Sequence, residues 1–189
     1  MDISKEQYNE ILKEQENGKL LIYIDTASFR QFFTKINNKK VNDLIGESLY
    51  LESFIIKCIM FILEPLSLIA TCFSCVFLFK WFAILIIPVI VLSWFFLKGR
   101  ASIGKQKIFF PLVLLMLSVI CAILYHEHSF WVKLFIIGLP STYFFSRLLY
   151  YLSALFGFML IHRNYSFFKL FYEKPEGAMT PMIWIENLK

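Results

Sequence analysis

FILEPLSLIATCFSC, residues 61–75, places an acid and a proline inside one of the most apolar stretches of the chain. The surrounding run, residues 54–79, is long enough to cross a bilayer, whose core of about 30 Å takes roughly 20 helical residues. Within it Glu64, Ser67, Thr71 and Ser74 recur at steps of three and four, which puts them on one helix face, and Lys57 continues that face two turns earlier. Hydrocarbon cannot hydrogen-bond, so the face must look at protein or water. A lone acidic side chain at mid-bilayer costs roughly 2.5–3.5 kcal/mol on insertion scales, which demands a partner for Glu64. The sequence offers Arg147, with Lys57 as its competitor, for an intramembrane ion pair. A second reading stays open: residues 48–63 lie along the membrane surface, Pro65 starts the crossing, and Glu64 is wet.

Three more apolar blocks follow. Residues 54–79 and 81–97 are parted by Lys80, and residues 108–125 and 129–161 by His126-Glu127-His128. The first three blocks each fit one crossing; the fourth is too long for an upright one at about 1.5 Å per residue. One tilted helix over about residues 131–155, kinked at Pro140 and running on past the bilayer, satisfies it better than two short crossings around Arg147. Thr142, Ser146, Tyr150, Ser153 and Gly157 give it a second polar face, in which Ser153-x-x-x-Gly157 is a step that lets helices approach closely. First and last spans are expected to pack through these faces, with interhelical hydrogen bonds.

The composition agrees: 58% of the 189 residues are apolar, 19% aromatic, and 22 are phenylalanine, more than a soluble domain of this length can bury. The formal charge of +5 is dispersed around the apolar blocks, which favours lipid headgroups and argues against nucleic acid. KGRASIGKQK, residues 98–107, carries bases and no acid, so this loop is expected on the cytosolic face with Lys98, Arg100, Lys105 and Lys107 at headgroup level.

The ends are different in kind. Ser4-x-x-Gln7 resembles a capping box and Gly18 a stop, predicting a helix over residues 4–17. LLIYI, residues 20–24, reads as a strand, and residues 26–36 as a helix capped by Asp25 or Thr26. A lone strand leaves its backbone groups unanswered. The available partner is PMIWIE, residues 181–186, so the termini are expected to pair as a small sheet on one side of the membrane, which requires an even number of crossings. The first 20 residues lack the apolar core of a secretion signal, predicting cytosolic termini.

The fold expected is therefore an all-α integral membrane protein: residues 53–161 as four transmembrane helices, flanked by cytosolic segments 1–52 and 162–189 whose strands form a small α/β element. The isoleucine, phenylalanine, lysine and asparagine bias suits an AT-rich bacterial or phage genome, and the membrane expected is the bacterial inner (plasma) membrane.

Catalytic chemistry is poorly supplied. Cys58, Cys72, Cys75 and Cys121 all lie in apolar segments, where cysteine packs as a small hydrophobe; the Cys72-x-x-Cys75 pair lacks metal-binding company. His126, His128 and His162 are too few for a histidine-box oxidase, and no hydrolase or phosphate-loop motif is present, so no enzyme, metal or cofactor is expected. Three functions compete. One is a non-enzymatic membrane component, an assembly subunit or immunity-type interaction protein with a protein partner or homo-oligomer. Another is an oligomeric ion channel or transport subunit using Glu64. The last, a lipid-modifying enzyme, has only His126-Glu127-His128 behind it.

Overall fold

A computed structural model describes residues 3–35, 43, 46, 48–101, 108–124, 127, 129–172 and 183–187. The protein is mostly helical with one two-stranded sheet, and divides into a terminal unit, residues 1–54 with 152–189, and a central unit, residues 55–151.

In the terminal unit, helix α1 (Lys5–Glu16) begins at the expected capping box: the Ser4 hydroxyl accepts from Gln7 N–H at 3.2 Å, and Ser4 N–H donates to Gln7 Oε1 at 3.0 Å. Gly18 ends it with φ +69°, a left-handed conformation that favours glycine. Strand β1 (Leu20–Ile24) then pairs antiparallel with β2 (Ile183–Asn187), Leu20 opposite Asn187 and Ile24 opposite Ile183. The termini thus meet as the sequence predicts. Leu20, Ile22 and Ile183 face inward while Leu21 and Tyr23 are exposed, the alternation of a half-buried ribbon.

Helix α2 (Thr26–Lys35) starts at Asp25, whose carboxylate accepts from Ala27 N–H at 3.2 Å and from the Ser28 hydroxyl. It supplies Phe29, Phe32 and Phe33 to an aromatic core. Their partners come from a helix the sequence reading did not foresee, α8 (Tyr165–Tyr172), capped by Asn164 Oδ1 on Phe167 N–H at 3.1 Å. Phe29, Phe33, Phe167 and Phe168 are fully buried, and the ring centroids of Phe32 and Phe171 lie 4.6 Å apart, edge to face. Tyr8 donates its hydroxyl to the Ile161 carbonyl at 2.8 Å, and burial raises its phenol above the usual pKa.

Two helical stretches are long and apolar enough to cross a membrane, Tyr50–Phe96 and Phe130–Arg163; the central unit takes the parts of them within residues 55–151, together with a shorter apolar helix, α6 (Phe109–Leu124). The first stretch is not one rod. It runs through α3 (Tyr50–Cys58), a π-helical turn (Ile59–Leu63) and α4 (Glu64–Phe79), then reverses at a 3₁₀ turn (Lys80–Phe82) into α5 (Ala83–Ala101). Lys80 has φ 48° and ψ −115°, and α4 and α5 pack side by side as a hairpin. The separation expected at Lys80 is therefore a chain reversal.

Pro65 accounts for the π turn. Proline cannot donate to the carbonyl four residues back and its ring crowds it, so the helix widens by one residue upstream. Glu64 N–H donates to the Ile59 carbonyl, five residues away. The chain is helical on both sides of Glu64, and the Glu64 side chain is fully buried.

Helix α7 (Phe130–Arg163) is continuous over 34 residues, which leaves no turn at Arg147. Its register against α4 follows from side-chain pairs. Phe77 stacks on Trp131 at 3.9 Å, and Gly138 lies against Thr71, so the two helices run antiparallel.

Candidate functional site

The polar face read from residues 61–75 is turned into the protein. Glu64, Thr71 and Ser74 are fully buried and Ser67 nearly so, while Leu66, Ile69, Phe73 and Phe77 on the same helix are more than half exposed. The second face behaves alike, with Thr142, Ser146, Tyr150 and Ser153 all buried. This is the reverse of a soluble core, where apolar groups go in and polar ones out.

Four of these hydroxyls bond within their own helix and not across to another. Ser67 donates to Glu64 O, Thr71 to Ser67 O and Ser74 to Thr71 O, each at 2.8 Å, and Thr142 donates to Gly138 O at 2.9 Å. A short side chain reaches the carbonyl one turn back on its own helix more readily than one on a neighbour. What these small residues provide is closeness. A Cβ built on Gly138 would come within 2.5 Å of Thr71 Oγ1, so α7 and α4 touch backbone to side chain there. The close approach expected at Ser153-x-x-x-Gly157 serves a different end: Gly157 seats the ring of Phe29, whose Cδ1 lies 2.6 Å from where a Cβ would be.

Glu64 receives a hydrogen bond from Trp94 of α5, Nε1 to Oε1, at 3.0 Å. Lys80 stands almost midway between the two residues in sequence, so the hairpin places them level. Trp94 escaped the sequence reading, which searched for charged partners; its position across the turn was the available signal. Arg147, the partner expected, sets its guanidinium over the ring of Tyr143 at 5.4 Å, and its buried Nε has no hydrogen-bond partner. Lys57 lies in the last turn of α3. Glu64 thus takes an indole N–H from the neighbouring arm of the hairpin.

Beside this pair lies a cavity of about 240 Å³. Leu68 and Thr71 of α4 form its floor; Ile90 and Trp94 of α5, and Thr142 and Ser146 of α7, are among its walls. Among the described hydroxyls of this unit Ser146 stands apart: it is buried, and its Oγ has no hydrogen-bond partner. A buried hydroxyl left unanswered forfeits about 1–3 kcal/mol, so this atom marks a place where a polar group is owed.

The remaining residues of interest lie elsewhere. Lys98 and Arg100 fall in the last turns of α5, where a loop was expected, and Lys105 and Lys107 lie outside the described residues, as do His126 and His128. His162 belongs to the terminal unit, its ring nitrogens facing the Phe158 carbonyl at 2.8 Å and Gln15 Oε1 at 2.9 Å. The four cysteines are free thiols. Among the described residues no group of three or more histidine, cysteine or acidic side chains is placed to hold a metal ion. Comparison of the chain with protein families, curated proteins and solved structures gives no match.

Proposed function

We propose that the chain is a four-crossing membrane protein with both termini in the cytosol, in the plasma membrane of a bacterium, and that it acts by binding and not by catalysis, as an assembly subunit or a protective interaction protein. The observation that carries the membrane part is the burial of Glu64, Ser67, Thr71 and Ser74 beneath an exposed surface of Leu66, Ile69, Phe73 and Phe77. In the most apolar window of Tyr50–Phe96 only 11% of the residues are buried, whereas the core helix of a soluble protein is mostly buried.

The hairpin at Lys80 divides that stretch into two arms, and α6 and α7 supply the other two crossings. Four crossings make the first and last antiparallel, in keeping with the register of Thr71 on Gly138 and Phe77 on Trp131. The chain enters the central unit from the terminal unit and returns to it, and β1 pairs with β2, which accords with an even number of crossings. The bases of residues 98–107 favour the cytosolic side for that loop and hence for the termini.

A binding role fits a protein whose polar groups are spent on its own packing. The ion-channel reading needs the face from Glu64 to Ser74 to line a water path between subunits, but that face is closed within one chain. Reconstitution in liposomes and purification in mild detergent test the choice. Ion gradients are expected to survive at high protein density, and a partner protein to co-purify in fixed stoichiometry. Ion flux abolished by Glu64→Gln would overturn it. Labelling of single cysteines at Trp81 and at Glu14 tests the topology, the two being expected on opposite faces.

A further inference from the structure

We propose that the cavity between α5 and α7 is a binding site for a single alkyl chain that ends in a hydroxyl group, entering sideways from the bilayer. The inference rests on the membrane reading above and adds to it a ligand class.

The shape and chemistry of the walls select the class. A cavity of roughly 150 Å³ lined by apolar side chains takes up benzene, and this one is larger, at about 240 Å³. Along α7 its wall runs from Leu139 to Ser146, a rise of about 10 Å, which is long enough for a short alkyl chain. Leu68, Val89, Ile90 and Leu139 make it apolar along that length. Val89 and Leu139 are also exposed on the outer surface, so the slot opens toward the acyl region and not toward water.

The polar end follows from the buried hydroxyls that line the slot; Ser93 and Tyr143 line it too, but Ser93 is exposed and Tyr143 only half-buried beneath the Arg147 guanidinium. Thr71 and Thr142 have donated their hydroxyl protons to their own helix. Trp94 has given its N–H to Glu64. Ser146 Oγ is buried and has no hydrogen-bond partner, so the slot holds an unanswered hydroxyl at the end where Trp94 also stands. A ligand hydroxyl can donate to it or accept from it. A carboxylate head is disfavoured, because Glu64 lies immediately behind the indole. The ligand expected is neutral, unbranched and hydrogen-bonding at one end.

Photolabelling tests this on the full chain in phosphatidylcholine vesicles, with a diazirine-bearing octanol as probe and peptide mass spectrometry as readout. Label is expected on α5 and α7 residues of the slot, displaced by excess octanol and not by octane. Ile90→Trp, which fills the slot, is expected to abolish that label, and Ser146→Ala to weaken competition by octanol about fivefold, as for one neutral hydrogen bond. Should the tryptophan variant not fold, the alanine variant decides. A monoacylglycerol that competes as well as octanol assigns the source to a bilayer lipid, and octanol competing alone assigns it to a free alkanol; both bear the proposal out. Equal displacement by octane and octanol, or unchanged competition in Ser146→Ala, overturns it. Membrane insertion is measured separately by carbonate extraction, so a protein that inserts but does not label fails this inference alone.

Discussion

Trp94 Nε1 donates to Glu64 Oε1 at 3.0 Å, joining residues thirty positions apart across the turn at Lys80. This is the tie between the two arms of the hairpin, and it makes the carboxyl part of the packing. Trp94→Phe keeps the ring and removes the donor. It is expected to lower stability in detergent by about 1–3 kcal/mol, the cost of leaving a buried acceptor without that bond. Glu64→Gln keeps a carbonyl oxygen for the indole and is expected to cost less. A double-mutant cycle should couple Glu64 to Trp94 by about 0.6–1.7 kcal/mol, and to Arg147 by less. Coupling to Arg147 as large as that to Trp94 would restore the ion pair that the sequence suggested.

Gly138 is a point of close approach between α7 and α4, and the contact is specific enough to be tested by repair. A methyl group there would stand 2.5 Å from Thr71 Oγ1. Gly138→Ala is expected to destabilise the central unit by about 1–3 kcal/mol through overpacking. Thr71→Ala removes the obstructing oxygen, so the double variant should recover most of the loss. Thermal unfolding of the four proteins in one detergent checks it, and equal losses in the single and double variants would sink the contact.

How far the sequence went depended on whether the physics was local or long-range. The capping box at Ser4 and Gln7, the stop at Gly18 and the reversal at Lys80 are written in neighbouring residues, and each formed where expected. The pairing of β1 with β2 was also legible, because LLIYI had one plausible partner outside the apolar blocks. The burial of the Glu64 to Ser74 face followed from helical spacing alone. Less legible were the partners on that face. The hydroxyls of Ser67, Thr71 and Ser74 turn to their own helix's carbonyls, Trp94 bonds Glu64, and Gly138 as well as Gly157 makes a close contact. Helical period tells which residues share a face, but not which neighbour arrives against it. Helix α8 carried a local signal that went unread: Phe167, Phe168 and Phe171 of YSFFKLFY recur at helical spacing and are the residues it buries.

Lys80 carries the turn at a conformation, φ 48° and ψ −115°, that glycine adopts freely and other residues do not. Such a position costs on the order of 1–3 kcal/mol when a side chain occupies it. Lys80→Gly relieves the strain and is expected to leave the hairpin intact with equal or higher stability, while Lys80→Val, branched at Cβ, should lower it. Helical content and the unfolding midpoint in detergent read both. A loss in the glycine variant as large as in the valine variant would show that the lysine side chain, and not the backbone, matters there.

The terminal unit should be sensitive to alkali through two tyrosines. Tyr8 has its phenol raised by burial, and Tyr23 by its hydrogen bond to Glu186, by the charge of that carboxylate, and by burial. A raised value in the folded state means that the folded chain holds its protons to higher pH than the unfolded one. The stabilisation is therefore complete below the unfolded value of about 10 and is lost as pH rises through the folded values. Stability is expected to be independent of these groups up to about pH 10 and to fall beyond it, with tyrosinate absorbance appearing later than in a free tyrosine. Tyr8→Phe forfeits the hydrogen bond to the Ile161 carbonyl, about 1 kcal/mol at neutral pH, and should flatten part of the alkaline decline. Tyr23→Phe should flatten a further part, because the phenolate it removes would otherwise form beside Glu186. If the parent and both variants lose stability along one common curve above pH 10, the proton held between Tyr8 and Ile161 is not what the terminal unit depends on.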